Sequence, residues 1–318
     1  MTNAKRIANF FLENNIYIVI IIMIVICSIL TSNFYTYQNI TNLMKQNTII
    51  GILAFGQLLI ILTGDIDLSV GSICGAANVA VSVLLRGEMS LPATLMIALL
   101  LGIGMGAANG FFIVFRALPP FIVTLAMMTI ARGLAYIWSG GRPINVVAPE
   151  LVKINNTLVA RIPQLATFLI LVFIIMLILL RFTSYGRIIK AIGSNAEAVR
   201  LAGLRVNLYR FSVYIITGFL CSLGGILGTV RTGVGSPVFG EGYELDAIAM
   251  VVIGGASLSG GKGDAVKTIV GIFTIGMISN IMNLMNVSPY LQQVIKGVII
   301  LAAIYSQAIT NNKGRLAA

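Results

Sequence analysis

RFTSYGRIIKAIGSNAEAVRLAGLRVNLYR, Arg181–Arg210, is the longest charged interval in an otherwise apolar chain. Arg181, Arg187, Lys190, Arg200, Arg205 and Arg210 are basic, and only Glu197 is acidic. Uncharged runs flank it, Ile162–Leu180 before and Phe211–Val230 after. Each is close to the ~20 residues that an α-helix needs to cross a bilayer core. A basic loop between two spans faces the cytoplasm, because Lys and Arg set membrane orientation. Ser194 followed three residues later by Glu197 reads as a capping box, and Gly203 is placed to stop the helix that starts there. A short helix over Asn195–Ala202 is therefore expected on the cytoplasmic face, either resting on anionic lipid or docking a cytoplasmic partner.

The totals agree with that local reading. The chain has 318 residues, of which 58% are hydrophobic and only 10% charged, and a mean hydropathy of +0.98. Apolar runs of spanning length recur, so the expected fold is all-α, a polytopic membrane helical bundle. The net charge of +11 is carried by basic residues distributed among loops, which sets nucleic acid aside as a partner. Cys27, Cys74 and Cys221 fall in apolar runs without metal-ligand spacing and read as buried thiols. There is no histidine. That removes the commonest general base and metal ligand, and no nucleophile–base pair replaces it, so an intramembrane enzyme is disfavoured.

In chain order the expected spans are 16–31, 47–63, 68–85, 90–115, 121–138, 162–180, 211–230, 247–258, 267–286 and 290–309, about ten in all, with the cytoplasmic loop at 181–210. Lys5 and Arg6 precede the first span, and no small-residue cleavage pattern follows it, so it reads as an uncleaved helix. The eighth span is short and glycine-bounded, complete or re-entrant. Placing both termini in the cytoplasm, with Lys313 and Arg315 inside and Arg161 outside, puts about twice as many basic residues inside as outside. Two long external segments remain, Ser139–Arg161 and Arg231–Asp246, the second carrying Glu241, Glu244 and Asp246. Loops of this length commonly serve function, so an external partner is expected there. Gly102, Gly106 and Gly110, and then Gly218, Ser222 and Gly225, form small-residue faces for close helix packing.

A few polar groups stand out against this background. TGDIDLSVGS, Thr63–Ser72, puts two carboxylates at a break between spans. Asp67 is placed to cap the next helix; Asp65 has no such task in the sequence and is the candidate for an ion, partner or solute contact. Ser279, Asn280, Asn283 and Asn286 lie along one side of the ninth span, as interhelical glue or as the lining of a path for a hydroxyl-rich solute. Arg132 and Lys296 are intramembrane cations expected to snorkel toward an interface. GGASLSGGKGD, Gly254–Asp264, fails as a phosphate-binding loop, since Ala256 occupies the first glycine position and Gly263 follows Lys262. The chain is thus expected to bind no nucleotide itself. Setting 64–71 against 254–261 gives identities at Gly64/Gly254, Leu68/Leu258, Ser69/Ser259 and Gly71/Gly261, a faint internal repeat.

ILTGDIDLSVGS (Ile61–Ser72), GRIIKAIGSNAEAVRLAGLRV (Gly186–Val206), GYELDAIAMVVIGGASLSGGKG (Gly242–Gly263) and NLMNVSPYLQQVIKGVIIL (Asn283–Leu301) together resemble the ribose-type sugar ABC transporter permeases. The resemblance runs in order over nearly the whole chain. It implies the ABC importer permease fold in a bacterial inner-membrane subunit, multi-pass, passing a monosaccharide such as a pentose or hexose inward. It also implies a second permease subunit, a periplasmic sugar-binding protein, membrane lipid as a further partner, and a cytoplasmic ATP-binding subunit that uses the ATP and Mg, with no cofactor bound by this chain. Segment Gly193–Gly203 matches the family's cytoplasmic loop, which makes Ser194, Asn195, Glu197, Arg200 and Gly203 the ATPase-coupling candidates. Asp65, Asp67, Ser69, Asn280 and Asn283 are the candidates for the translocation pathway. Asp65 departs from the family pattern, which more often has a small residue there. The alternative is a secondary transporter driven by an ion gradient, which calls for paired ionisable groups near mid-membrane.

Overall fold

The computed structural model describes residues 15–316 apart from 147, 160 and 161, and for 15–19 and 306–316 the backbone alone. Lys5, Arg6 and Arg161, and the side chains of Lys313 and Arg315, lie outside the described residues. The described helices, in order, are α1 Asn15–Leu30, α2 Tyr37–Leu62, α3 Val70–Arg86, α4 Leu91–Gly110, α5 Pro120–Ser139, α6 Pro149–Asn156, α7 Gln164–Phe182, α8 Ser184–Leu201, α9 Val206–Thr232, α10 Tyr243–Ile253, α11 Ala265–Leu284 and α12 Pro289–Leu316. A π-helical turn, Phe111–Phe115, extends α4. Six helices are long and apolar enough to cross a membrane: α2, α4 with its extension, α5, α7, α9 and α11. Shorter apolar helices cover Ile20–Leu30, Val70–Arg86 and Pro289–Tyr305.

The axis of the bundle is α2. Thr36 starts it by accepting from the Asn39 amide, and every residue from Asn47 to Leu62 is buried. The next helix in importance, α9, runs antiparallel to α2 and parallel to α3. Thr217 donates from Oγ1 to the Gly56 carbonyl at 3.1 Å, while Gly225 lies against Cys74 and Asn78 donates to Thr229 Oγ1 at 2.8 Å. Gly102 and Gly218 sit where α4 and α9 cross, so close that a methyl on either would overlap the other's carbonyl oxygen. That is the close approach which small residues permit. Gly225, grouped with Gly218 by spacing, instead faces α3. On the periphery, α5 and α7 present Ile130, Ile137, Leu171, Ile174 and Ile178 outward. Apolar side chains directed away from a packed core are what a lipid-facing helix carries.

The segment Arg231–Asp246, read above as external, turns back into the bundle. Val234–Gly235 (β2) pairs antiparallel with Ile144–Asn145 (β1) at one end of the bundle. The chain then descends beside α3, with Phe239 O against Gly75 and Gly240 O against Gly71. Arg132 holds it there by donating to the carbonyl oxygens of Pro237 and Phe239. Arg132 is therefore engaged with buried backbone and does not snorkel. The short helix α10 follows at Tyr243–Ile253, not at 247–258, with Glu244 and Asp246 buried in its first turn. Lys296 reaches Asp246 at 2.8 Å, so it too has a partner inside. Two carboxylates mislead a composition window; inside the bundle, one of them is neutralised by a cation 50 residues away.

Candidate functional site

The bundle is built around two helical hairpins, α2–α3 and α10–α11, whose turns meet. In the first turn Thr63 and Gly64 close on the carbonyls of Ile60 and Ile61, and Gly64 takes φ 86°. In the second, Ser257 N bonds to Lys262 O, Gly260 N to Ser257 O, and Asp264 caps α11 through the amides of Val266 and Lys267. The phosphate-loop look-alike is thus a closed turn leading into a capped helix. The repeat read from the sequence is displaced by one: Gly255 at φ 81°, and not Gly254, occupies the left-handed position that follows the helix end as Gly64 does.

Between the turns runs the backbone of Gly193. The Gly261 amide donates to the Leu62 carbonyl at 3.0 Å, which ties turn to turn. A methyl at Gly193 would overlap that same Leu62 oxygen and crowd the Gly261 nitrogen, and Gly260 abuts both Gly193 and Gly64. Three chain segments therefore touch backbone to backbone at four glycines, with the Ser194 side chain also against Gly261.

Two residues beyond this junction α8 kinks. Asn195 has φ −160° and ψ 93°, and its Oδ1 accepts from the Ala198 amide at 3.0 Å. The cap is therefore Asn195, not Ser194, whose hydroxyl bonds back to Lys190 O. Glu197 does not complete a capping box; it pairs with Arg200 through two bonds of 3.0 and 2.6 Å on the exposed face. That hydrogen-bonded guanidinium holds the Glu197 carboxyl below its ordinary range. Gly203, at φ 81°, ends the helix in the left-handed conformation while Leu204 N reaches back to Val199 O. Just before it Leu201, the last residue of α8, is 79% exposed. Leu204, Arg205 and Leu208 border an open cavity of about 350 Å³ with Tyr185 and Tyr209.

The pathway candidates have partners within the chain. Asp65 is 6% exposed and accepts from Arg210 Nη2 at 2.7 and 2.9 Å and from the Tyr214 hydroxyl at 3.1 Å. Asp65 therefore has the structural task that the sequence did not disclose. Asp67 sits two residues before the cap position, and its Oδ1 takes both the amide and the hydroxyl of Ser69, at 2.7 and 2.6 Å. Asn109 donates to that hydroxyl at 2.9 Å, which joins α4 to the turn. Asn280 exchanges two amide bonds with Asn39, at 2.8 and 3.0 Å, and is interhelical glue. Asn283 accepts from Gln292 at the end of α11, and Asn286 lies beyond that helix. Arg210 and Tyr214 escaped the sequence reading as site residues. Their spacing of four on one helix face was the available signal. Among the described residues no group of three or more His, Cys, Asp or Glu could hold a metal ion.

Asp67→Ala is expected to remove about 1 kcal/mol or more, since it leaves the buried Ser69 amide and hydroxyl without their acceptor. Asp67→Asn keeps a carbonyl oxygen there and should lose less. Thermal unfolding of the detergent-purified variants orders them, and equal midpoints for all three proteins would refute the assignment.

Comparison with known proteins places these features in context. The family described as branched-chain amino acid transport system / permease component matches residues 39–304. The chain is 37% identical over 297 residues to the ribose import permease protein RbsC of Escherichia coli K12, covering 92% of each chain. It is 38% identical over 285 residues to the protein of that name in Bacillus subtilis, covering 89% of this chain and 88% of the relative. The L-arabinose transport system permease protein AraH of Escherichia coli K12 is 36% identical over 287 residues, covering 90% and 88%. No solved structure matches the chain significantly.

Proposed function

This chain belongs to the family of branched-chain amino acid transport system permease components, and from that premise we propose that it is the membrane subunit of an ATP-driven ABC importer for a monosaccharide. It is a multi-pass membrane protein and acts as a transporter subunit, not as an enzyme. Relatives named for ribose and arabinose transport support a pentose or related sugar as the solute. Both termini lie in the cytoplasm, about ten segments cross the inner membrane, and a second permease subunit completes the pore. A periplasmic sugar-binding protein delivers the solute, and ATP and Mg are used by a separate cytoplasmic subunit.

The observation that carries this reading is the junction at Gly193. The kinked α8, with its short arm after Asn195 and its exposed Leu201, is a suitable docking element for an ATPase. Its backbone bears directly on both hairpin turns. Closure of an ATPase dimer that moves α8 would thus move α2–α3 and α10–α11 together, which is a two-state device for alternating access. Ser194, Asn195, Glu197, Arg200 and Gly203 form the coupling arm in this scheme. Of the pathway candidates, Asp65, Asp67 and Ser69 belong to the moving turn, which their hydrogen bonds hold together.

The test is uptake of a panel of labelled pentoses and hexoses by proteoliposomes holding this chain, the ATP-binding subunit and the binding protein. Uptake is expected to require internal ATP and to persist when proton and sodium gradients are collapsed. Uptake that follows the gradient and ignores ATP would replace this reading with a secondary transporter.

A further inference from the structure

The first hairpin turn is gripped at two places, by α8 at the Gly193 contact and by α9, the helix into which the coupling loop leads. Arg210, in the second turn of α9, reaches Asp65 with one terminal nitrogen shared between both carboxylate oxygens, at 2.9 and 2.7 Å. Tyr214, one helical turn on and fully buried, donates to the same carboxylate at 3.1 Å. Asp65 is almost inaccessible, and Arg210 keeps about a quarter of its side chain exposed. A carboxylate buried at a turn gains nothing from burial itself; it is held there by its partners, and removal of one partner leaves a charge uncompensated. The turn also carries Leu62 O, which receives the Gly261 amide of the second hairpin. Glycine contacts transmit push but not pull, because they are van der Waals surfaces without a bond between Gly193 and the turn. The ion pair is directional and resists separation.

We propose that Asp65 and Arg210, with Tyr214, form a positioning strap that makes the first hairpin turn follow α9, and through it the coupling loop that leads into α9, in both directions of the transport cycle. The proposal rests on the permease reading. In it, Gly193 pushes the turn and Arg210 draws it back, so that an arm displaced by the ATPase moves α2 and α3 with it on the return as well as the forward stroke.

The experiment uses the permease–ATPase complex in lipid nanodiscs, with amide hydrogen exchange read in the absence and presence of ATP plus vanadate. Wild type should show a vanadate-dependent change both in the coupling arm, 195–203, and in the turn, 62–69. Asp65→Asn should keep the complex and the response of the arm. Its turn response should shrink at least about five-fold, the lower end of the range for coupling between sites. Arg210→Gln leaves a buried carboxylate alone and is expected to fold poorly, so the second variant is Asp65→Asn/Arg210→Gln, which should match Asp65→Asn in the turn. A turn that responds in Asp65→Asn as in wild type overturns the strap, as does a response lost only in proportion to lost complex. A wild-type chain that captures no ATPase, or an arm that ignores vanadate, removes the permease reading and the strap with it. That outcome is distinguishable from failure of the strap alone, where the arm still responds.

Discussion

Gly193→Ala is expected to uncouple the protein. The added methyl would overlap the Leu62 carbonyl and press on the Gly261 amide, and both obstacles are backbone, with no flexible side chain to swing aside. Relief requires either that α8 lift from the two turns or that the Leu62–Gly261 hydrogen bond break. Overpacking of this kind costs about 1–3 kcal/mol when side chains absorb it, and more where they cannot. Solute uptake per molecule should fall at least ~10-fold, since 1.4 kcal/mol already corresponds to a factor of ten, and ATPase stimulation by loaded binding protein should fall with it. Gly104→Ala is the internal control: nothing lies within 4 Å of a methyl there. Its exposed position in the middle of α4 makes alanine neutral or stabilising by up to about 1 kcal/mol. If the two variants transport equally, the junction is not the transmission point.

Lys296→Met should be nearly as damaging, through stability and not through coupling. It strips the 2.8 Å partner from Asp246, which is 7% exposed on α10. Removing one member of a buried pair costs about 3–5 kcal/mol, because the remaining charge stays desolvated. The double variant Lys296→Met/Asp246→Asn removes both charges and should recover most of that loss, which a simple loss of packing at Lys296 would not allow. Folded yield and thermal midpoint for the two singles and the double form a cycle whose coupling energy reads the pair directly. A double variant no better than Lys296→Met would show that the ion pair contributes little.

The membrane-spanning character of the chain and the glycine stop of its basic loop could be read from the sequence, and for one physical reason. Each depends on residues within one window: twenty apolar side chains suffice for a span, and a helix end is closed by a glycine a few residues away. Gly203 took the left-handed conformation its place implied, and the packing role of Gly102 and Gly218 followed from small residues at helical spacing. Local rules also set the limits of that reading. Ser194–Glu197 has the spacing of a capping box, yet Asn195 adopts the non-helical dihedrals and takes the cap, while Glu197 turns to Arg200. Both are choices among neighbours that spacing does not rank.

What only the tertiary structure decided is which charges meet. Asp65 and Arg210 are 145 residues apart, Asp246 and Lys296 are 50 apart, and Asn39 and Asn280 are 241 apart. In each case the sequence showed a polar residue in apolar surroundings and not its partner. Charges and amides in a low-dielectric interior are tolerated only when compensated. The sequence alone therefore established that such groups had to be accounted for, by pairing, capping or function. Folding determined that Asp65 is a tether, that Asp246 and Lys296 neutralise one another, and that the segment read as an external loop is a descending arm pinned by Arg132.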